Sequence, residues 1–298
     1  MKKPIEVLQN ATQPPTATAA AAAGGEVTTA VDWDYVRAAL EDLEEHAEDI
    51  DKANDIGTMG GVAPLLALVA SGEDGVPARA ATVLGQMASN NMKAQTLLTE
   101  QGAVPALLQA VRAGNDPATQ SKLLYALGGI SRNFPAAQEV GFVEGGASLI
   151  YELISSKHAK LQRRATTLSG DLAAQHTGWG VWLGSAVRRS KAEPLLEMLQ
   201  DPAKRELHET ALTVLVGVLT RPIDGKSALV AEAEAEALLE AVQPAVQAYL
   251  ERAKAGGDNE QGEDGFKGPQ LARALVGGPW GGLGGRLAAE EGAGKEEL

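Results

Sequence analysis

The stretch RAATVLGQMASN at residues 79–90 returns as KLLYALGGISRN at residues 122–133 and as RATTLSGDLAAQ at residues 164–175, at spacings of 43 and 42. A weaker fourth copy, ETALTVLVGVL, occupies residues 209–219. A second element recurs between the copies: GVAPLL at residues 61–66, GAVPALL at 102–108 and GGASLI at 145–150. A period near 42 with two strong helical elements per unit lies in the range of armadillo and HEAT arrays. The Gly-x-x-Pro element reads as a helix start. The glycine ends the preceding helix, and the proline sits in the first turn, where its missing N–H costs nothing. Apolar residues then follow at helical spacing, as in Leu107, Leu108 and Val111. The expected fold is therefore all-α: an armadillo-like right-handed solenoid of about four repeats, each unit burying its apolar stripe only against its neighbours. An opening helical segment is expected from Asp32 to about Met59.

Composition agrees. The chain has 298 residues, too many for one compact bundle but not for a repeat array, which has no single core to outgrow. Hydrophobic residues are 44 % and aromatic residues 4 %, with alanine and leucine dominant in the centre, a mixture that favours helices over strands. Residues 1–30 are rich in Ala, Thr and Pro, and residues 256–298 are rich in Gly and charge; both read as disordered tails around a repeat domain at 31–255.

Several functions are disfavoured. The formal net charge of −13 opposes nucleic acid. There is no cysteine, so disulfides, zinc–thiolate sites and thiol nucleophiles are excluded. No phosphate-binding Gly-x-x-x-x-Gly-Lys-Ser/Thr loop occurs, and Gly281-Gly-Leu-Gly-Gly285 reads as linker. His46, His158, His176 and His208 are scattered without a metal-binding pair. The acidic run from Glu41 to Asp55 lacks EF-hand spacing and reads as a solvated helix face. No enzyme, cofactor or metal is expected. No apolar run approaches the roughly 20 residues a membrane helix needs, so no membrane is expected either. The final Lys-Glu-Glu-Leu resembles an ER-retrieval tetrapeptide, which competes with a plain cytoplasmic reading.

In armadillo arrays the long third helix of each unit lines a concave groove, and here that helix is the 79–90 type of segment. Its core positions are Ala80, Val83, Leu84 and Met87, then Leu123, Leu127 and Ile130 in the next unit. Gly85, Gly128 and Gly170 recur in register and imply close helix packing. The groove face would carry Arg79, Thr82, Gln86 and Asn90, with Asn91 beyond, then Lys122, Tyr125, Gly129 and Asn133, then Arg164, Thr167, Asp171 and Gln175. Arg79, Lys122 and Arg164 thus form a basic column suited to a partner's carboxylates. The competing reading is that they form surface ion pairs with acidic neighbours. The Trp and Asn ladder that import-type armadillo adaptors use for extended peptides is absent. Trp179 and Trp182 read as buried packing or as an exposed anchor.

These residues resemble a family. EDIDKANDI at residues 48–56 is similar to a signature that precedes the repeats in the Fes-one and heat-shock-binding-protein-one family. Residues 79–95, ending in Asn90, Asn91 and Gln95, resemble its first-repeat motif, and His208-Glu209 with Leu212 and Leu215 its last repeat. The family's usual Leu-Leu-Lys-Trp-Ser-like opening is not matched. The resemblance implies a monomeric nucleotide exchange factor that clasps the ATPase domain of a heat shock protein 70 chaperone and speeds ADP release. The alternative is an armadillo adaptor without exchange activity.

Overall fold

A computed structural model describes residues 1–13, 31–114, 116–190, 192–220, 228–255 and 271–273. The described residues are helical, with no strand among them. The chain forms two compact units, Met1–Leu149 and Ile150–Leu298.

The first unit contains α1 (Lys2–Thr12), α2 (Trp33–Ala47), α3 (Ile50–Thr58), α4 (Val62–Val69), α5 (Val76–Ala88), α6 (Met92–Glu100), α7 (Ala103–Arg112), α8 (Pro117–Ser131) and α9 (Pro135–Val143). Two shorter helices followed by a long one repeat as α3–α4–α5 and α6–α7–α8. The glycine starts behave as expected: Gly102 takes φ 78 before α7, and Gly145 takes φ 73 before the helix Gly146–Glu152. Side chains open several other helices. Asp49 accepts from the Asp51 and Lys52 amides, Asn91 from Ala94, and Asp116 from Ala118 and Thr119. The Asp49 cap breaks the single segment expected at 32–59 into α2 and α3.

Helix α5 lies at the centre, with α2, α4 and α8 against it. It is therefore buried almost all round, including Ala80, Val83, Leu84 and Met87 as expected. Leu123, Leu127 and Ile130 of α8 are buried likewise. The α5–α8 crossing is close because two glycines meet there. A Cβ on Gly85 would lie 2.6 Å from the Tyr125 ring, and one on Gly129 would lie 2.8 Å from the Gly85 carbonyl oxygen. Gly129, expected on the groove face, takes part in this close approach, and Gly128 beside it is buried. Gln95 clamps the end of α8, its Nε2 donating to the carbonyls of Gly129 (2.9 Å) and Arg132 (3.0 Å).

The expected N-terminal tail is corrected for its first residues. Residues 2–12 form α1, which packs on α2 and α4 with Ile5 and Leu8 buried. Burying two aliphatic side chains contributes about 1.5–3 kcal/mol each. The i, i+3 pair gives α1 an apolar stripe that the Ala-rich run downstream obscures. The remainder of the expected tail, 14–30, and nearly all of 256–298, with Trp280 and the Gly281–Gly285 cluster, lie outside the described residues.

In the second unit, α10 is taken as Ala159–Gln175, followed by α11 (Thr177–Arg189), α12 (Glu193–Gln200), α13 (Arg205–Thr220) and α14 (Ala228–Ala255). Helix α10 packs on α11 and α13, and α12 on α13 and α14. Gly170 meets Val214 of α13 at 3.1 Å from its notional Cβ, the tight packing expected of it. Trp179 is buried, and Trp182 stacks edge-on against Tyr151 at 5.8 Å, so neither is a free anchor. The ring of His208 stands edge-on to Tyr249 at 5.2 Å, and its Nε2 lies 3.0 Å from the Asp201 carbonyl oxygen. A carbonyl only accepts, so Nε2 carries the proton.

Candidate functional site

The open face of the first unit is assembled from α2, α5 and α8. Its residues come from helix positions that the core and the flanking helices leave partly open. On α5 those are Arg79 and Gln86, both half-buried; on α8 they are Lys122, Tyr125 and Gly129, also half-buried, with exposed Asn133 just beyond the helix. Tyr125 lies over Gly85, so a small residue on α5 seats an aromatic ring of α8 on this face. Asn90 and Asn133 both adopt left-handed φ, 53 and 57, at the turn after each long helix, a conformation asparagine tolerates.

Two expected groove residues are withdrawn. Thr82 is buried, and its hydroxyl donates to the Ala78 carbonyl at 2.9 Å, because α2 and α8 flank α5 so closely. Asn91 is buried as the cap of α6, and its Nδ2 donates to Asn54 Oδ1 at 3.3 Å. The paired asparagines therefore divide their work: Asn90 turns the chain and Asn91 starts the next helix. Arg164 is half-buried on α10 of the second unit.

The electrostatics come from α2, which the expectation of a basic column left out. Arg79 pairs with Glu44 at 3.5 Å and Glu41 at 3.9 Å. Gln86 Nε2 donates to Glu48 Oε1 at 3.2 Å. Partial burial pushes the Glu44 carboxyl above the usual carboxylate range, and the Arg79 and Lys122 cations oppose that shift. Glu44 thus lies in the field of both cations, one on α5 and one on α8. For Arg79 the ion-pair reading holds, and its charge is already shared before any partner arrives. What the face can do chemically is hydrogen-bond and pack against a partner through Tyr125, Gln86 and the asparagines. Glu41, Glu44, Arg79 and Lys122 place charges of both signs on that face. Among the described residues no three His, Cys, Asp or Glu side chains are grouped to hold a metal ion, and no helix is long and apolar enough to cross a membrane.

Fold and face together define an all-α repeat protein of the armadillo type. Among solved structures, computationally designed armadillo repeat proteins for modular peptide recognition match with TM-score 0.66 at 16 % identity, over 92 % of this chain and 98 % of theirs. A designed armadillo repeat protein in complex with a (KR)4 peptide matches with TM-score 0.62 at 16 % identity, over 91 % of this chain and 98 % of that one. The repeat region, residues 52–186, matches the SIL1/FES1/HPBP1 C-terminal domain. The Nucleotide exchange factor SIL1 of Mus musculus is 32 % identical over 173 residues, 58 % of this chain and 34 % of its own length. The Hsp70 nucleotide exchange factor FES1 of Mycosarcoma maydis is 28 % identical over 137 residues, 46 % of this chain and 35 % of its own. The chain spans about a third of the length of these relatives.

Proposed function

We propose that this chain is a nucleotide exchange factor that binds the ATPase domain of a heat shock protein 70 chaperone, as a monomer in the cytoplasm, and promotes ADP release. The observation that carries the reading is the match of residues 52–186 to a domain whose full-length relatives bear that name. The mechanism is one of linkage. A factor that binds the nucleotide-poor conformation of the ATPase domain more tightly must weaken the nucleotide by the same factor, without any residue touching it. The contact face in this reading is Arg79, Gln86, Lys122, Tyr125 and Asn133, with Asn90 at its edge.

The test is stopped-flow release of a fluorescent ADP analogue from heat shock protein 70 at increasing concentrations of this chain. Release accelerates and saturates if the reading holds. Arg79→Ala with Lys122→Ala reduces the acceleration at least about tenfold, the equivalent of ~1.4 kcal/mol in affinity, with helical content unchanged. Alanine is preferred to glutamate because a new carboxylate beside Glu41 and Glu44 would add repulsion of its own. No acceleration by a folded wild-type chain overturns the exchange reading and leaves an armadillo adaptor.

A further inference from the structure

Helix α1 takes a particular place in the first unit. Helix α4 contacts α7 on one side and α1 on the other, and α1 rests on the long helix α2 as α7 rests on α8. It therefore continues the layer of second helices beside α4 and covers an apolar edge of α2 and α4. Its hold is slight. Ile5 and Leu8 are its fully buried side chains, and Gln9 Nε2 reaches the Met59 and Gly60 carbonyls only at 3.5 Å. The Lys2–Glu6 pair is exposed at 4.0 Å and joins two residues of the helix itself. An 11-residue helix is also too short to persist in water by itself, so helix formation and docking are one event.

The two helices that form the seat have a second support besides α1. Leu40 and Leu43 of α2 and Leu65 of α4 belong to the buried core, and α2 and α4 are also held by α5. Seventeen residues, 14–30, separate α1 from the rest of the described chain, so the seat and α1 are not neighbours in sequence. An amphipathic helix lying in an apolar groove is a recurring recognition mode, read by its anchors at i and i+3 or i+4.

We propose that α1 is an exchangeable cap: the groove formed by α2 and α4 is a docking site for a short amphipathic helix, filled by the chain's own α1 and open, once α1 leaves, to the α1 of a second copy. The groove selects an aliphatic pair at the spacing of Ile5 and Leu8, with a side-chain amide one residue after the second. Attachment within one chain gives α1 a high effective concentration over any competitor, so exchange shows only when the resident helix is weakened or the chain is concentrated. The inference does not depend on the exchange-factor reading.

The experiment uses the full chain carrying Ile5→Asp and Leu8→Asp, and a fluorescein-labelled peptide of residues 1–13 as the probe. Fluorescence anisotropy is expected to show saturable binding to the variant at least about tenfold tighter than to wild type, and none for a peptide bearing the same two aspartates. Equal binding to variant and wild type, or none to a variant whose circular dichroism shows its remaining helices intact, overturns the proposal. Should the variant not fold, hydrogen exchange on the wild-type chain decides the same point. Amides of residues 6–12 are expected to exchange at least about tenfold faster than the slowest amides of α2 and α4, because the cap opens without the unit unfolding. Equal protection would mean that α1 is an inseparable part of the core.

Discussion

His208 shows how one buried ring ties stability to pH. Burial lowers its pKa below the ordinary 6.5, and the hydrogen bond to the Asp201 carbonyl only partly opposes that. The folded chain holds the ring neutral while the unfolded chain binds a proton near the ordinary value. The stabilisation is therefore present above about pH 6.5 and is lost as pH falls through the lower folded value. Thermal unfolding followed between pH 7.5 and 5 should show a decline that His208→Phe flattens. At pH 7.5 the variant itself should lose about 1 kcal/mol with the Asp201 bond. Parallel pH profiles for the two proteins would remove His208 from this role. The resemblance at His208-Glu209 marked this position, but its role as a neutral donor needed the positions of Asp201 and Tyr249. Thr82 and Asn91 make the same point from the other side. Their residue types and spacing suit a groove, yet burial beside α2 and α6 turns them inward.

At the scale of elements, the glycines of the long helices carry opposite meanings that spacing does not distinguish. A methyl on Gly129 would meet the backbone of Gly85 at 2.8 Å, and backbone cannot rotate away. Gly217, within α13, has nothing within 4 Å of the same notional atom. Alanine in place of a helical glycine gains roughly 0.5–1 kcal/mol in propensity, whereas overpacking costs about 1–3 kcal/mol. Gly129→Ala should therefore destabilise by about 1–2 kcal/mol and Gly217→Ala should stabilise by about 0.5–1 kcal/mol, read from urea midpoints at constant m-value. A Gly129→Ala chain as stable as wild type would mean that α5 and α8 are not locked at this crossing. The register of Gly85 with Gly170 was legible in the repeat. That Gly129 also takes part in the approach was not, because it depends on the crossing of two helices.

For the molecule as a whole, charge is the property read directly from composition. A net charge of −13 surrounds the chain with a field that repels polyanions, and the cations on the open face of the first unit are not a free basic patch. A labelled 20-nucleotide DNA should show no anisotropy change with micromolar protein at about 0.1 M salt. Saturable binding there would mean that a local surface overcomes the global field. The 42-residue period, the all-helical class, the glycine helix starts and the buried positions of α5 and α8 were determined by sequence alone, because each rests on relations within about one repeat. Three matters were decided only by tertiary structure. These are the capping of the first unit by residues 2–12, the burial of Thr82 and Asn91, and the pairing of Arg79 with Glu41 and Glu44. Each depends on which distant segment lies alongside, and a repeating pattern is silent about the neighbours at its own end.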